Sequence, residues 1–160
     1  MSITAGDRIP SLELGIMGNE GPTGIHTDQV FLDKKVVLFA LPGAYTPTCS
    51  AAHLPGYVVH AEAILARGVD TIACLAVNDP YVMDAWGKEQ NVGERILMLA
   101  DGNAEFTRAT GLGIDRTASH MGFRSQRYAM IVDNGIVTEL KLEVPFEFEV
   151  SDAETILDLL

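Results

Sequence analysis

Apolar residues follow two rhythms along this chain. Nearly continuous apolar runs bounded by Gly, Pro, Asn and Asp alternate with longer stretches in which apolar positions recur every three or four residues. The first pattern predicts strands and the second amphipathic helices. Lys35–Leu41 and Thr71–Val77 are almost wholly apolar, as expected of strands covered on both faces. Weaker extended segments fall at Ser11–Ile16, Thr23–Thr27 and Ile96–Ala100. A long helix is predicted from about Thr48 to Arg67, with Leu54, Val58, Ala61 and Leu65 on one face, Pro55 kinking it and Gly68 ending it. Asn78-Asp79-Pro80 opens another helix to about Gln90, with Asp79 as N-cap and Pro80 in first position.

Further along, Ala104–Thr110 reads as a short helix and Gly111–Gly122 as an irregular loop. The strands Gln126–Asp133 and Ile136–Glu143 flank Asn134-Gly135, a strong hairpin signal. Ser151–Leu160 closes the chain as a helix, with Ser151 and Glu154 at capping-box spacing. The order β-α-β-α-β-α-β-β-α, after an N-terminal extension, predicts an α/β fold of thioredoxin-like type. A central mixed sheet is flanked by helices, and a C-terminal hairpin plus helix completes it.

Composition narrows the classes. A length of 160 residues with no internal linker predicts one domain spanning 1–160. The net charge of −11 argues against nucleic acid, whose phosphates demand a Lys/Arg excess. No apolar run approaches the ~20 residues that span a bilayer, so no membrane partner is expected. Residues 1–7 lack the basic start and apolar core of a signal peptide. Two cysteines are too few for a disulfide framework and lack metal-ligand spacing with the four histidines. That usage fits a reducing compartment, with cytoplasm as the expectation and no metal or cofactor implied.

Chemistry concentrates at Cys49. The stretch Pro42-Gly43-Ala44-Tyr45-Thr46-Pro47-Thr48-Cys49-Ser50 leaves a buried strand, turns, and presents one thiol at the start of a helix. Thiolate is the reactive form of cysteine, and a helix N-terminus favours it. An ordinary thiol with pKa ~8.5 is only about 3% thiolate at pH 7. Full ionisation therefore gains only ~30-fold, against the 10⁶ or more typical of enzymes. The remainder has to come from groups that hold the substrate and the charge displaced during reaction.

The spacing Pro42-x3-Thr46-x2-Cys49 resembles the active-site signature of the peroxiredoxins, and the fuller string is similar to their type-five branch. The resemblance extends to His53-Leu54-Pro55-Gly56-Tyr57, Val77-Asn78-Asp79, Trp86-Gly87 and Arg124–Met130, covering the chain from Gly6 to Leu160. It implies a thiol peroxidase that reduces hydrogen peroxide and small alkyl hydroperoxides through a Cys49 sulfenic acid. By the same resemblance, Thr46 hydrogen-bonds the peroxide, Arg127 serves thiolate and oxyanion, and Pro42 and Gly43 shape the substrate turn. Backbone N–H groups after Gly43 and at Cys49 would orient the peroxide oxygens.

The chain has no cysteine after Cys74, where some relatives carry a resolving one. Cys74 itself sits mid-strand and reads as a core thiol. A one-Cys cycle is therefore expected, with glutathione and glutaredoxin as reductant, or thioredoxin second. The resemblance also implies a homodimer, with Tyr45 and Asn78–Val82 as contact candidates. Other chemistry-bearing residues have plainer readings. Arg127 shares a strand face with Ala129 and Ile131, where an arginine needs a partner, whereas Arg124 reads equally as a salt-bridge residue. His53 reads as a packing or interface residue, His26, His60 and His120 as surface or core, and Trp86 as a packing anchor. A thioredoxin-type disulfide reductase would need Cys-x-x-Cys, and Thr46 stands at its first position. A peroxide sensor using the same cysteine is the rival from another class.

Overall fold

A computed structural model describes residues 1–160. Its main sheet has seven strands in the order β2-β1-β5-β4-β3-β8-β9. These are β1 (Glu13–Gly18), β2 (Gly21–His26), β3 (Lys35–Ala40), β4 (Thr71–Ala76), β5 (Leu97–Ala100), β8 (Tyr128–Asp133) and β9 (Ile136–Leu142). β3, β4 and β5 run parallel, while β8 is antiparallel to both β3 and β9. The mixed sheet expected from the element order is present. β3 and β4 are covered on both faces, as their unbroken apolar runs require.

Alternation along the strands divides the core into two layers. Phe39, Cys74, Ala129 and Ile131 face one cluster, together with Cys49, Leu54, Tyr57 and Trp86 from the helices. Leu38, Leu75, Tyr128, Met130 and Val132 face the other. Arg127 precedes β8 with the parity of Ala129 and Ile131, so its side chain belongs to the layer that contains Cys49. Asn134 and Gly135 have φ of 48° and 78°, the left-handed pair that a tight hairpin turn requires.

The helices are α1 (Thr27–Phe31), α2 (Leu54–Leu65), α3 (Pro80–Glu89), α4 (Glu105–Thr110) and α5 (Ala153–Leu159). Asp79 caps α3 by accepting from Val82 N at 2.9 Å, as predicted. Besides α1, which the sequence pattern does not predict, three features differ from the sequence reading. The supposed irregular loop at 111–122 contains β6 (Gly113–Asp115), paired with β7 (Phe123–Ser125) as a separate two-stranded sheet. These strands are too short for alternation to reveal them.

The second difference is at the C-terminus. α5 is capped by Asp152, whose carboxylate accepts from Thr155 N, and Ser151 is turned elsewhere. The third concerns the long helix, which starts at Pro47 and passes through a π-helical turn, Cys49–His53, before α2 begins. Leu54 N–H reaches back five residues to the Cys49 carbonyl. Pro55 has no N–H, and its ring crowds the carbonyl of residue 51, so the widened turn accommodates it.

Candidate active site

Three elements meet around the Cys49 turn. The helix starts at Pro47, which puts Cys49 in its first turn, and the side chain is fully buried. α3 holds this turn from outside: Trp86 Nε1–H donates to Ser50 Oγ at 3.0 Å, and Gln90 Nε2–H donates to the Ser50 carbonyl at 3.3 Å. Trp86 is a packing anchor, as expected, and also a hydrogen-bond strut. From the sheet, Arg127 Nη2–H donates to Cys49 Sγ at 3.2 Å. A guanidinium donor on sulfur stabilises the deprotonated form and is itself permanently charged.

The turn before the helix is held by both edges of the cleft. Thr46 Oγ1–H donates to the Gly43 carbonyl at 2.7 Å. With its proton committed, the hydroxyl offers lone pairs, so it can accept from a bound hydroperoxide rather than donate. Ala44 N–H donates to Asn78 Oδ1 at 2.9 Å. That corrects one expectation: the N–H after Gly43 is occupied by Asn78 and not open to substrate. Cys49 N–H, by contrast, makes no hydrogen bond within the chain. Gly43 is needed for closeness, because a Cβ there would lie 2.8 Å from Arg124 Nη1. Arg124 donates to the Pro42 and Met121 carbonyls at 3.4 and 2.8 Å, so it braces the turn and pairs with no carboxylate.

His53 is the residue the sequence reading undervalued. The wide π-turn brings it onto the same face as Cys49, where Arg127 bridges the two. Arg127 Nη1–H donates to His53 Nδ1 at 2.8 Å, and the other ring nitrogen, Nε2, lies 3.1 Å from the Ser151 carbonyl. Arginine only donates and a carbonyl only accepts, so the imidazole is neutral with its proton on Nε2. Burial, and then the adjacent guanidinium, push its pKa down to about 3, partly opposed by the Ser151 carbonyl. Phe39, Tyr57 and Phe148 surround the ring, with centroids 5.1, 5.7 and 4.9 Å away. The one sequence signal for this role was an arginine on an apolar face, which needed a buried partner.

A cavity of about 260 Å³ opens beside this group. Pro42, Thr46, Thr48, Ile114, Arg127 and Phe146 are among its walls. The sequence-predicted residues Pro42, Thr46 and Arg127 therefore share one wall system, and Gly43 accepts the Thr46 hydroxyl behind it. Cys74 is elsewhere: it is fully buried in β4, and burial, with the neighbouring Cys49 second, pushes its thiol well above the ordinary range. His26, His60 and His120 make no contact with the site; His26 caps α1, and His60 lies 3.5 Å from Glu154. No cluster of three His, Cys, Asp or Glu side chains could hold a metal ion.

The fold and a shielded, arginine-held cysteine after β3 define a thioredoxin-like thiol enzyme. The redoxin family model matches residues 4–157. The chain is 41% identical to peroxiredoxin-2D of Arabidopsis thaliana, over 99% of this chain and 98% of that one. Reduced Prx3 of Vibrio vulnificus in complex with hydrogen peroxide superposes with a TM-score of 0.94 at 56% identity, covering 98% of each chain. Peroxiredoxin 5 of Alvinella pompejana superposes with a TM-score of 0.85 at 35% identity, covering 97% of this chain and 96% of that one. The chain belongs to the peroxiredoxin family, and its activity class is that of a thiol peroxidase.

Proposed function

We propose that Cys49 is the peroxidatic nucleophile and that hydrogen peroxide and small alkyl hydroperoxides are its substrates. The observation that carries this reading is the Arg127 guanidinium donating at 3.2 Å to a fully buried cysteine sulfur beside an open cavity. The thiolate attacks the nearer peroxide oxygen, the O–O bond breaks, and the sulfur is oxidised to sulfenic acid. The departing oxygen takes a proton and leaves as water or an alcohol. In this reading Thr46 Oγ1 accepts from the peroxide O–H, and Cys49 N–H and Arg127 donate to the oxygens as charge builds. Pro42 and Gly43 shape the turn and keep bulk water from the sulfur.

Regeneration is assigned to an external thiol. A first thiol condenses with the sulfenic acid, releasing water and leaving a mixed disulfide; a second thiol displaces Cys49 and leaves as a disulfide. Glutathione with glutaredoxin is the favoured reductant and thioredoxin the second. The one-Cys cycle rests on the absence of a cysteine after Cys74 and on the burial of Cys74 itself, and the order of reductants on the likeness to the type-five branch. The same reading makes the protein a homodimer. Tyr45 and Tyr81 are 51% and 66% exposed, which suits a contact through Tyr45 and Asn78–Val82. Residues 1–160 act as one domain, and the cytoplasm is the proposed location. No helix is long and apolar enough to cross a membrane.

The test is peroxide consumption with glutathione/glutaredoxin and thioredoxin/thioredoxin reductase in parallel. The reading expects sustained turnover in the first system, retained by Cys74→Ser. Loss of turnover in that variant, with a Cys49–Cys74 disulfide found by mass spectrometry, would show the one-Cys cycle to be wrong. Oxidation of Cys49 once, with no turnover in either system, would favour the sensor role.

A further inference from the structure

Glu143 is buried, at 5% exposed, at the end of β9, and the peroxide chemistry above makes no use of it. Its carboxylate has no cationic partner. Instead it collects the main chain that follows. Glu149 N–H donates to both its oxygens, at 3.0 and 2.9 Å. Val150 N–H, Ser151 N–H and Ser151 Oγ–H donate to Oε2 at 2.9, 2.9 and 2.7 Å. Three successive N–H groups wrapped on one anion form a backbone nest. Residues 143–151 are thus a strap, closed by its first side chain onto its last three amides.

Both ends of the strap lead back to Arg127. At one end, Glu143 N–H donates to the Arg127 carbonyl at 3.0 Å. At the other, the Ser151 carbonyl accepts from His53 Nε2–H at 3.1 Å and from Tyr57 Oη–H at 2.8 Å. His53 Nδ1 then accepts from the Arg127 guanidinium at 2.8 Å. The circuit runs from the main chain of Arg127 through Glu143, Ser151 and His53 to its side chain. Phe148, carried on the strap, covers the back of both His53 and Arg127, at 4.9 and 5.7 Å.

We propose that Glu143 is a positioning residue for the peroxidase reaction: by fixing the Ser151 carbonyl it holds His53 in the Nε2–H form, which aims the Arg127 guanidinium at Cys49. This rests on the reading of Arg127 as the group that serves sulfur and peroxide. The tautomer is the working part. An imidazole with its proton on Nδ1 would set donor against donor at Arg127, and an imidazolium would set cation against cation. Either would turn the guanidinium away from the sulfur.

The circuit explains why a histidine can sit there without titrating. Burial and the guanidinium keep its pKa near 3, so it stays neutral through the physiological range. The ionisable groups on its flanks are Arg127 and Cys49 toward the cavity and Tyr57 along its helix. Tyr57, whose ring centroid lies 5.7 Å from that of His53, in turn faces Asp152, Cys74 and Glu143. Releasing the strap admits water to the ring, and its titration moves toward the ordinary value of about 6.5. Acid then protonates His53 and repels Arg127.

The test is the rate of Cys49 oxidation by hydrogen peroxide as a function of pH, in Glu143→Gln, His53→Asn and the double variant. Glu143→Gln is expected to be about tenfold slower than wild type at pH 7.5, the size of coupling between contacting groups. The ratio should fall further below about pH 6.5, where an unshielded imidazole protonates. With His53→Asn present, Glu143→Gln should add less than about twofold at any pH, because asparagine has no tautomer to lose. A Glu143→Gln effect equal at every pH, or equally large with asparagine at position 53, overturns the proposal. Should Glu143→Gln fail to fold, Ser151→Ala removes one of the five bonds and keeps the carbonyl. It should give a smaller loss with the same dependence on pH and on His53, and a loss without that dependence overturns the proposal equally. Arg127→Gln in the same assay separates the two levels. If it oxidises as fast as wild type, the assignment of Arg127 fails first.

Discussion

Cys49 and Cys74 lie in the same core cluster, both wholly buried, and yet only one is placed to react. Cys74 faces apolar neighbours from the middle of β4, and burial pushes its thiol well above the ordinary range. Cys49 is no more accessible by surface area, but a fixed cation donates to its sulfur and its own N–H is unspent. A cavity opens along the adjoining turn through Pro42, Thr46 and Thr48. Reactivity here is therefore a matter of which polar groups face the sulfur, not of exposure. The two thiols serve as internal controls for one another.

The largest expected effect breaks the comparison outright. Cys49→Ser should reduce peroxide turnover to the uncatalysed rate, while Cys74→Ser stays within about twofold of wild type, the usual range for a small change in a core thiol. Next in size, Arg127→Gln should slow oxidation of Cys49 about 10²-fold or more, the typical loss of one preorganised donor. Thr46→Val should follow at about tenfold, since it removes one acceptor. Stopped-flow oxidation under single-turnover conditions measures both. A loss appearing only in the reduction half-reaction would contradict the roles given to them.

A subtler expectation concerns pH and stability. His53 is held neutral with a pKa of about 3, against about 6.5 in the unfolded chain. The unfolded state therefore takes up a proton between those values and the native state does not. The stabilisation is complete above about pH 6.5 and is lost progressively as pH falls toward 3. Glu143 acts in the same direction lower down. Burial raises its pKa, but the hydrogen bonds from Ser151, Glu149 and Val150 outweigh burial and hold it below the usual value. Its contribution is present above the ordinary carboxylate range and fades as pH falls through its own lowered pKa. Thermal unfolding between pH 7.5 and 4.5 should show Tm falling with acid, and His53→Asn should flatten the portion between 6.5 and 5. The smallest effect is expected for Gly43→Ala. The new Cβ comes too close only to the far end of the Arg124 side chain and meets Thr46 and Asn78 at ordinary contact, so the cost in stability should be about 1 kcal/mol.

The uneven legibility of the chain has physical causes. β3 and β4 could be read because burial on both faces leaves an apolar run that nothing else explains. The α3 cap and the Asn134-Gly135 turn were equally legible, since each depends on a few adjacent residues. Cys49, Thr46, Pro42 and Gly43 occupy one short local turn, so the resemblance of nine consecutive residues to the family signature points to all four. Arg127 enters through the resemblance to the peroxiredoxins, and strand parity with the cost of an unpartnered cation on an apolar face supports it.

The rest depended on contacts distant in sequence. His53 and Ser151 are 98 positions apart, and only the folded chain shows that Ser151 serves His53 and Glu143 rather than capping α5. The π-turn that turns His53 toward Arg127 differs in having a local cause, Pro55, but as a sequence signal that residue predicts a kink alone. The engagement of Ala44 N–H by Asn78 is a third case, since nothing local distinguishes an occupied amide from an open one.

The central claim is that the Arg127-held sulfur of Cys49, and not a generally exposed thiol, reacts with peroxide. Its most direct test is rapid mixing of the reduced protein with one equivalent of hydrogen peroxide, with each thiol assigned by trapping and mass spectrometry. We expect stoichiometric sulfenic acid on Cys49, formed at least about 10⁵-fold faster than on a free thiol, with Cys74 still reduced. Oxidation of Cys74 ahead of Cys49, or of Cys49 at the rate of a free thiol, would contradict it.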